Sequence, residues 1–410
     1  MAKQTQVVSV GPDIHVQGGI SRVIEMISTR VPAHLRFRHI PTYTRFTGAE
    51  DLDPSERGSR IGQGLVYLGA FAKILMAAVG RRAVFHVHFA GRGSIIRKGL
   101  LCGVLRALRC TYAVHSHAAK TGLFHPWVPQ LCRRLLLWGV GGADRVIVLT
   151  EFWREYYTSL LELPASRMVL LPNPADLPKT VPDRLHNRAL KLLFLGRVGE
   201  RKGAFDLIQA FALLPDNVRN DCWLTLAGDG EVDAAASMAA QTGCSQRVTI
   251  RGWVSAKEVQ VLLHDSDVLL LPSHAEGMSM ALIEAMSWAL AVVTTNAGGA
   301  QAFLDHGHNS ILVAAGDVEA ISGAILDLYR NPHKRVALGV AARETISCFS
   351  IESYMTKLTT LYEELAVLQI GKRGISASTE DYARSFMHHP TEKAAAVKLD
   401  RPQYPTEGTT

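Results

Sequence analysis

Two α/β domains, each on its own parallel sheet, are what this 410-residue sequence predicts. Three observations lead there. The length exceeds what a single core usually covers, so two cores are expected. A strand, a glycine-bearing turn and an amphipathic helix open the chain in "VVSVGPDIHVQGGISRVIEMI", and the plan returns in "KLLFLGRVGERKGAFDLIQAF" (Lys191 to Phe211). The other strands read as near-continuous apolar runs alternating with helices, the pattern of parallel strands covered on both faces.

The first domain is expected over residues 1–175. After its opening unit comes "GLVYLGAFAKILMAAVG" (Gly64 to Gly80), interrupted by Lys73. It falls short of the roughly 20 residues that span a membrane and reads as a buried helix. Strands "AVFHVHF" (Ala83 to Phe89), "TYAVHSH" (Thr111 to His117), "DRVIVLT" and "MVLLPN" follow. Between them, "RKGLLCGVLRALRC" (Arg97 to Cys110) fits a helix with Leu100, Val104 and Leu108 on one side and Lys98, Arg106 and Arg109 opposite. "LCRRLLLWGVG" sets Arg133 and Arg134 beside leucines and a tryptophan. Prolines and charges mark residues 176–190 as a linker.

The second domain is expected over residues 191–347, with strands "CWLTLAG", "RVTIRGW", "DVLLLPS" and "LAVVTTN". "FSIESYMTKLTTLYEELAVL" (Phe349 to Leu368) gives a helix over 348–370 that returns to the first domain, and the polar stretch 371–410 reads as a mobile tail.

A hydrophobic content of 48% with 20% charged residues excludes a disordered chain. The six cysteines form no C-x-x-C pair, which points to reduced thiols in a reducing compartment and away from disulfides or a zinc site. The opening "MAKQTQVVSVG" runs straight into a strand without a secretory pattern, so a cytoplasmic location is expected. Residues 1–180 carry 23 Lys and Arg against 11 Asp and Glu, while the remainder carries 21 against 26. A polyanionic partner is therefore expected for the first half alone. Arginine-rich helices in that half fit anionic lipid headgroups and a peripheral place on the inner membrane face. Nucleic acid is excluded as a partner, because the cations lack interleaved aromatics and no recognition motif occurs.

The chemistry concentrates in "HAEGMSMALIEAM" (His274 to Met286). A strand leads out into the loop bearing Glu276, and Gly277, Met278 and Ser279 offer backbone N–H groups where the next helix begins, a seat for an anion. Glu284 follows along that helix about 12 Å away, the reach of a sugar nucleotide's diphosphate. Two carboxylates can then accept hydrogen bonds from sugar and ribose hydroxyls while the helix end holds phosphate. Upstream, "GRVGERKG" puts Arg197, Arg201 and Lys202 before a helix N-terminus, where cations are unfavourable unless an anion comes between. Arg197 and Lys202, with glycines for close approach, suit a diphosphate clamp.

These stretches resemble the family 4 (group 1) glycosyltransferases of the retaining, two-domain GT-B class, in the polysaccharide-biosynthesis type. The likeness runs through "GGISRV", "ADRVIVLTEF", "LPNPAD", "LFLGRVGERKG", "LTLAGDGE", "IRGWV", "DVLLLPSHAEGMSMALIEAMS" and "GHNSILV". It implies two Rossmann-like domains facing a cleft, and transfer of a hexose from a UDP- or GDP-sugar to a saccharide acceptor by front-face attack. By this resemblance Glu276 holds donor-sugar hydroxyls, Glu284 holds the ribose, and Arg197 and Lys202 neutralise the departing diphosphate. Arg251, Gly252 and Trp253 lie beside the base, Gly18 and Gly19 admit the donor phosphate, and His117 stands near the sugar with His115 as second choice. The family's acidic residue after the double glycine is here Gln301, the Asn-Gly pair is Asn309-Ser310, and Pro174 stands where glycine is usual.

No metal is expected: of the two D-x-D spacings, Asp51 to Asp53 lies in a polar loop and Asp265 to Asp267 precedes a strand. Cations and a helix end can neutralise the leaving group instead. A lipid-linked acceptor fits the basic first half. A nucleotide-sugar 2-epimerase on the same fold and a non-catalytic sugar-nucleotide-binding subunit remain alternatives.

Overall fold

The computed structural model describes residues 4–16, 18–43, 58–79, 83–89, 93–117, 130–185 and 189–372. The first sheet holds β1 (Thr5–Pro12), β2 (Leu35–Tyr43), β3 (Ala83–Phe89), β4 (Tyr112–Ser116), β5 (Arg145–Val148) and β6 (Met168–Leu170) in the order β2-β1-β3-β4-β5-β6. All its pairings are parallel. Val8, Val10, Phe85 and Val87 point to one face, where α2 (Gly58–Val79), α3 (Gly93–Ala107), α4 (Gln130–Gly141) and α5 (Glu151–Leu161) cover them. The alternate residues Val7, Val84 and Ala113 meet α1 (Gly19–Ser28) on the other face.

The second sheet is also parallel, with β7 (Leu190–Leu195), β8 (Cys222–Ala227), β9 (Val248–Arg251), β10 (Val268–Leu271), β11 (Ala291–Thr295) and β12 (Ile311–Val313) in the order β12-β11-β10-β7-β8-β9. Its helices are α6 (Ala204–Ala212), α7 (Asp216–Asn220), α8 (Val232–Gln241), α9 (Ala256–Asp265), α10 (Met280–Ser287), α11 (Val318–Arg330) and α12 (Pro332–Ser347). Strand order reverses between β7 and β10, and the loops leaving that pair diverge to open a crevice at the sheet's carboxyl edge.

The last helix, α13 (Ile351–Lys372), packs on the first sheet, where Gln369 donates from Nε2 to the Ala83 carbonyl at 2.7 Å. The chain thus passes between domains twice. The two passages are tied: Ala175 N–H donates to the Phe349 carbonyl (2.7 Å) and Ile351 N–H to the Ala175 carbonyl (2.9 Å).

Several expectations need correction. The apolar run from Gly64 does form a helix, but among the described side chains α2 buries only Ala70, Ile74 and Ala78 along one stripe. Leu65, Leu68, Met76 and Val79 on the opposite side are 63–72% exposed. A helix lying on a sheet hides one face, and one that is apolar all round leaves the other outside. No helix among the described residues is long and apolar enough to cross a membrane. On α3 the expected inner stripe is shifted: Lys98 is buried and Leu100 is exposed, because Leu101, Cys102 and Leu105 turn inward, while Leu108 packs partly buried on the core and Arg109 is exposed as expected. Burial, with Arg97 adding to it, pushes the Lys98 amine down to about 7.

Strands β2 and β12 lie outside the expected set. Both are sheet edges, and β2 alternates exposed Arg36 and Arg38 with Leu35 and Phe37, unlike the apolar runs of the interior. Helix α13 continues to Lys372, two residues into the stretch read as a tail, and residues 373–410 lie outside those described. So do Asp51 to Asp53. Asp267 is buried and accepts from Lys191 N–H at 2.8 Å, tying β10 to β7.

Candidate active site

The loops after β7 and β10 meet the loop after β1 across a cleft of about 740 Å³. From the first domain it is lined by Ile14 to Val16, Gly18 to Arg22, Glu25 and His117; from the second by Leu195 to Arg197, Arg201, Lys202, Trp253 and Glu276 to Ala281 with Glu284.

Glu276 leaves β10 in a loop whose backbone is propped from behind by residues 296–302. Gly299 N–H donates to the Gly277 carbonyl at 2.9 Å. Gly298 has φ +70°, and a Cβ there would stand 1.8 Å from the Glu276 carbonyl oxygen, so only glycine fits. The Glu276 side chain is mostly buried; it pairs with Lys202 Nζ, accepts from Ser273 Oγ at 3.2 Å, and lies 4.0 Å from Arg201. Lys202 is aimed by the turn Glu200–Lys202, which Gly203 ends at φ +71° against the Pro272 carbonyl. Arg197 is two-thirds exposed and pairs with Asp229 at 3.1 Å. The cleft's cations are therefore already held by carboxylates.

Gly277, Met278 and Ser279 lead into α10, where Ser279 is the N-cap and makes no side-chain cap bond. Asn173, buried in the first interdomain passage, donates to the Met278 carbonyl at 3.0 Å and keeps its Oδ1 unpartnered among the described residues. Glu284 sits one helical stretch further on, its side chain 15% exposed, facing Arg22 of α1 at 3.6 Å. Burial pushes the Glu284 carboxyl up to about 7; Arg22 opposes that rise, while Asp176 and Glu25 add to it. Gly19 abuts Met280, so the N-terminus of α1 and that of α10 approach each other within the cleft lining.

His117 reaches the cleft from the end of β4. Its Nε2 lies 3.1 Å from His88 Nδ1. Burial, together with His86 and Lys98, pushes it down to about 3, so it meets the cleft as a neutral imidazole. His115 is buried away from the cleft. Trp253, 55% exposed, lines the far end beyond β9, whereas Arg251 and Gly252 stand outside the lining.

Among the groups beyond the expected set that share the site are Arg22, Glu25, Asn173 and Asp229. Arg22 carried a readable signal. It is a cation in the first turn of a helix, where the dipole disfavours one unless a carboxylate or ligand faces it.

With this geometry in place, comparison with known proteins is decisive. Residues 182–345 match the family "Glycosyl transferases group 1", and residues 19–174 match "Glycosyl transferase 4-like domain". The chain belongs to the group 1 glycosyltransferases. It is 25% identical over 354 residues to a 2-deoxystreptamine N-acetyl-D-glucosaminyltransferase of Niallia circulans, covering 81% of this chain and 86% of the relative. It is 24% identical to a GDP-mannose-dependent α-(1-6)-phosphatidylinositol monomannoside mannosyltransferase of Mycolicibacterium smegmatis, covering 80% and 90%. Among solved structures, Anabaena Alr3699/HepE in complex with UDP-glucose superposes with a TM-score of 0.67 at 16% identity, covering 88% of this chain and 99% of that one. This glycosyltransferase thus has the GT-B fold, and its cleft lies where the two sheets' carboxyl edges meet.

Proposed function

We propose that this glycosyltransferase moves a hexose, with retention at C1, from a nucleotide diphosphate sugar to a lipid-linked saccharide at the inner face of a membrane. The reading rests on one observation: Lys202 and Glu276 are paired directly beside the N-terminus of α10. An incoming diphosphate displaces Glu276 from Lys202, and Asp229 from Arg197, by offering a stronger bidentate anion at a helix end. The freed Glu276 carboxylate then accepts hydrogen bonds from donor-sugar hydroxyls. Glu284 takes the ribose hydroxyls, and Trp253 covers the base.

In this reading Glu276 serves binding and is not the nucleophile, because its freed carboxylate is taken up by the donor-sugar hydroxyls while Ser273 Oγ, 3.2 Å away, keeps its orientation. The acceptor oxygen bonds to C1 on the face from which the diphosphate leaves. The C1–O bond to phosphate breaks, and the acceptor's proton passes to a phosphate oxygen. Lys202, Arg197 and the α10 N-terminus stabilise the charge that develops on the diphosphate, and no divalent ion is needed there. His117, neutral and at the cleft edge, hydrogen-bonds the transferring sugar.

The acceptor side rests on charge and apolarity together. Between Glu56 and Asp144 the chain has thirteen Lys and Arg and no Asp or Glu. Helices α2, α3 and α4 form the outer layer of this stretch, and they expose Leu65, Leu68, Met76, Leu100, Leu135 and Trp138. Apolar side chains within this excess of cations in the sequence fit an anionic bilayer surface.

The test is nucleoside diphosphate release from a panel of UDP- and GDP-sugars, with and without membrane lipid extract, by wild type and Glu276→Ala. Release from one donor that rises with extract and disappears in Glu276→Ala is expected. Release indifferent to extract would instead indicate epimerisation, and tight donor binding without release a binding subunit.

A further inference from the structure

Behind His117, on the face of the first sheet that α13 covers, β3 and β4 place four imidazoles in two adjacent rows. His86 and His88 share a face of β3, His115 follows on β4 in register with His88, and His117 comes next. His86, His88 and His115 are fully buried. Ring centroids of neighbours are 4.0–5.3 Å apart.

Hydrogen bonds join these rings in two separate pieces. Tyr362 of α13 meets His86 Nδ1 at 2.7 Å, and His86 Nε2 meets His115 Nδ1 at 3.2 Å. His88 Nδ1 meets His117 Nε2 at 3.1 Å. Between the pieces the row is broken. His88 Nε2 and His115 Nε2 are both buried and have no partner among the described residues. Leaving one such nitrogen unsatisfied costs roughly 1–3 kcal/mol, and a fold that keeps two side by side needs a reason for both.

We propose that His86, His88 and His115 hold one imidazole-binding d10 metal ion, copper(I) or zinc(II), in the gap between the two strands. The three rings offer one nitrogen each, all within 4.8 Å of one another. A tetrahedral ion bonded at about 2.0–2.1 Å separates its nitrogens by roughly 3.3 Å, so ring rotations of modest size close the site. Outer partners are in place. The Tyr362 hydroxyl on His86 and the His117 ring on His88 fix those imidazoles through the nitrogen that would not bind metal, as ligand histidines require. His115 ligates through its open Nε2, and His86 through the Nε2 that meets His115 Nδ1 at 3.2 Å, a hydrogen bond the metal replaces.

The donor set also narrows the ion. No carboxylate or thiolate belongs to the group, and imidazole alone suits copper and zinc rather than magnesium or calcium. His39, the other titratable neighbour acting on His86, brings no negative charge. Because the penalty of burying an ion grows with the square of its charge, copper(I) is the better match. The ion would lie behind His117 and apart from the diphosphate seat, and the assignment stands whether or not the transfer chemistry above is right.

The test uses the full-length protein, stripped with chelator and titrated separately with copper(I) and zinc(II). Wild type should take up one ion of either kind per chain, with a rise in melting temperature. In His88→Leu/His115→Leu that uptake and the thermal shift should vanish. The leucines remove two unsatisfied nitrogens but also the partners of His86 Nε2 and His117 Nε2, so a native circular dichroism spectrum of the variant is required before its uptake is read. Tyr362→Phe keeps all three ligands but frees the His86 ring, and should weaken binding by about 10–100-fold. Absence of saturable uptake of both ions by wild type, or equal uptake by the double-leucine variant, would overturn the proposal.

Discussion

Glu284 shows how one residue's surroundings set a measurable property. It is a carboxyl raised to about 7 by burial in spite of Arg22, so it is ionised above that pH and gains a proton as pH falls through it. The ionised form accepts more hydrogen bonds from ribose hydroxyls than the acid. The donor KM should therefore rise as pH drops below about 7, by at most about tenfold per pH unit. Glu284→Gln should bind donor more weakly at neutral pH and lose that dependence. A wild-type donor KM that stays level across the window, measured by initial rates at fixed ionic strength, would remove Glu284 from the donor site.

At this scale the sequence was informative where a residue type conflicts with its local position. Lys202 just before a helix N-terminus is such a conflict, whereas Glu276 was marked by the strand, loop and helix around it, and both line the cleft. Asn173 was silent, because an asparagine between prolines reads as ordinary linker until the second domain is seen packed against it.

Among the elements, the loop 296–302 acts as a support. Gly298→Ala forces a side chain into left-handed backbone and against the Glu276 carbonyl, and should lower stability by about 1–3 kcal/mol while raising donor KM. Gly323, within α11 and with open space around it, serves as control. Gly323→Ala should be neutral or stabilise by about 0.5–1 kcal/mol. Urea unfolding of both variants checks the pair, and equal stability would mean that the loop yields.

Interior strands were legible as unbroken apolar runs, since burial on both faces leaves little choice of residue. Two of the four edge strands were not: β2 carries arginines outward and β12 is three residues long, so neither shows that signature, whereas the edges β6 and β9 were read. Helix orientation was the weakest inference. On α3 and α2 apolar residues surround the axis, and only the packed sheet decides which stripe turns inward.

For the whole molecule, the proposed membrane contact is tested at the exposed stripe of α2. Wild type should float with vesicles rich in anionic lipid, less so at high salt and poorly with neutral vesicles. Leu68→Ser/Met76→Ser should lose most of that flotation and keep its rate with a water-soluble acceptor. Flotation unchanged by the pair would move the contact elsewhere on the surface.

The two passages between the domains carry a mechanical consequence. A single connecting strand behaves like a tether, free to swivel about its own length as well as bend. Here two strands run together and are stitched on both sides of Ala175. Twisting the domains against each other would shear those two hydrogen bonds, whereas bending about a line through both strands leaves them intact. The pair has the geometry of a door-hinge pin: it confines any swing of the jaws to one arc, along which the α1 terminus bearing Arg22 would return to the same place over α10.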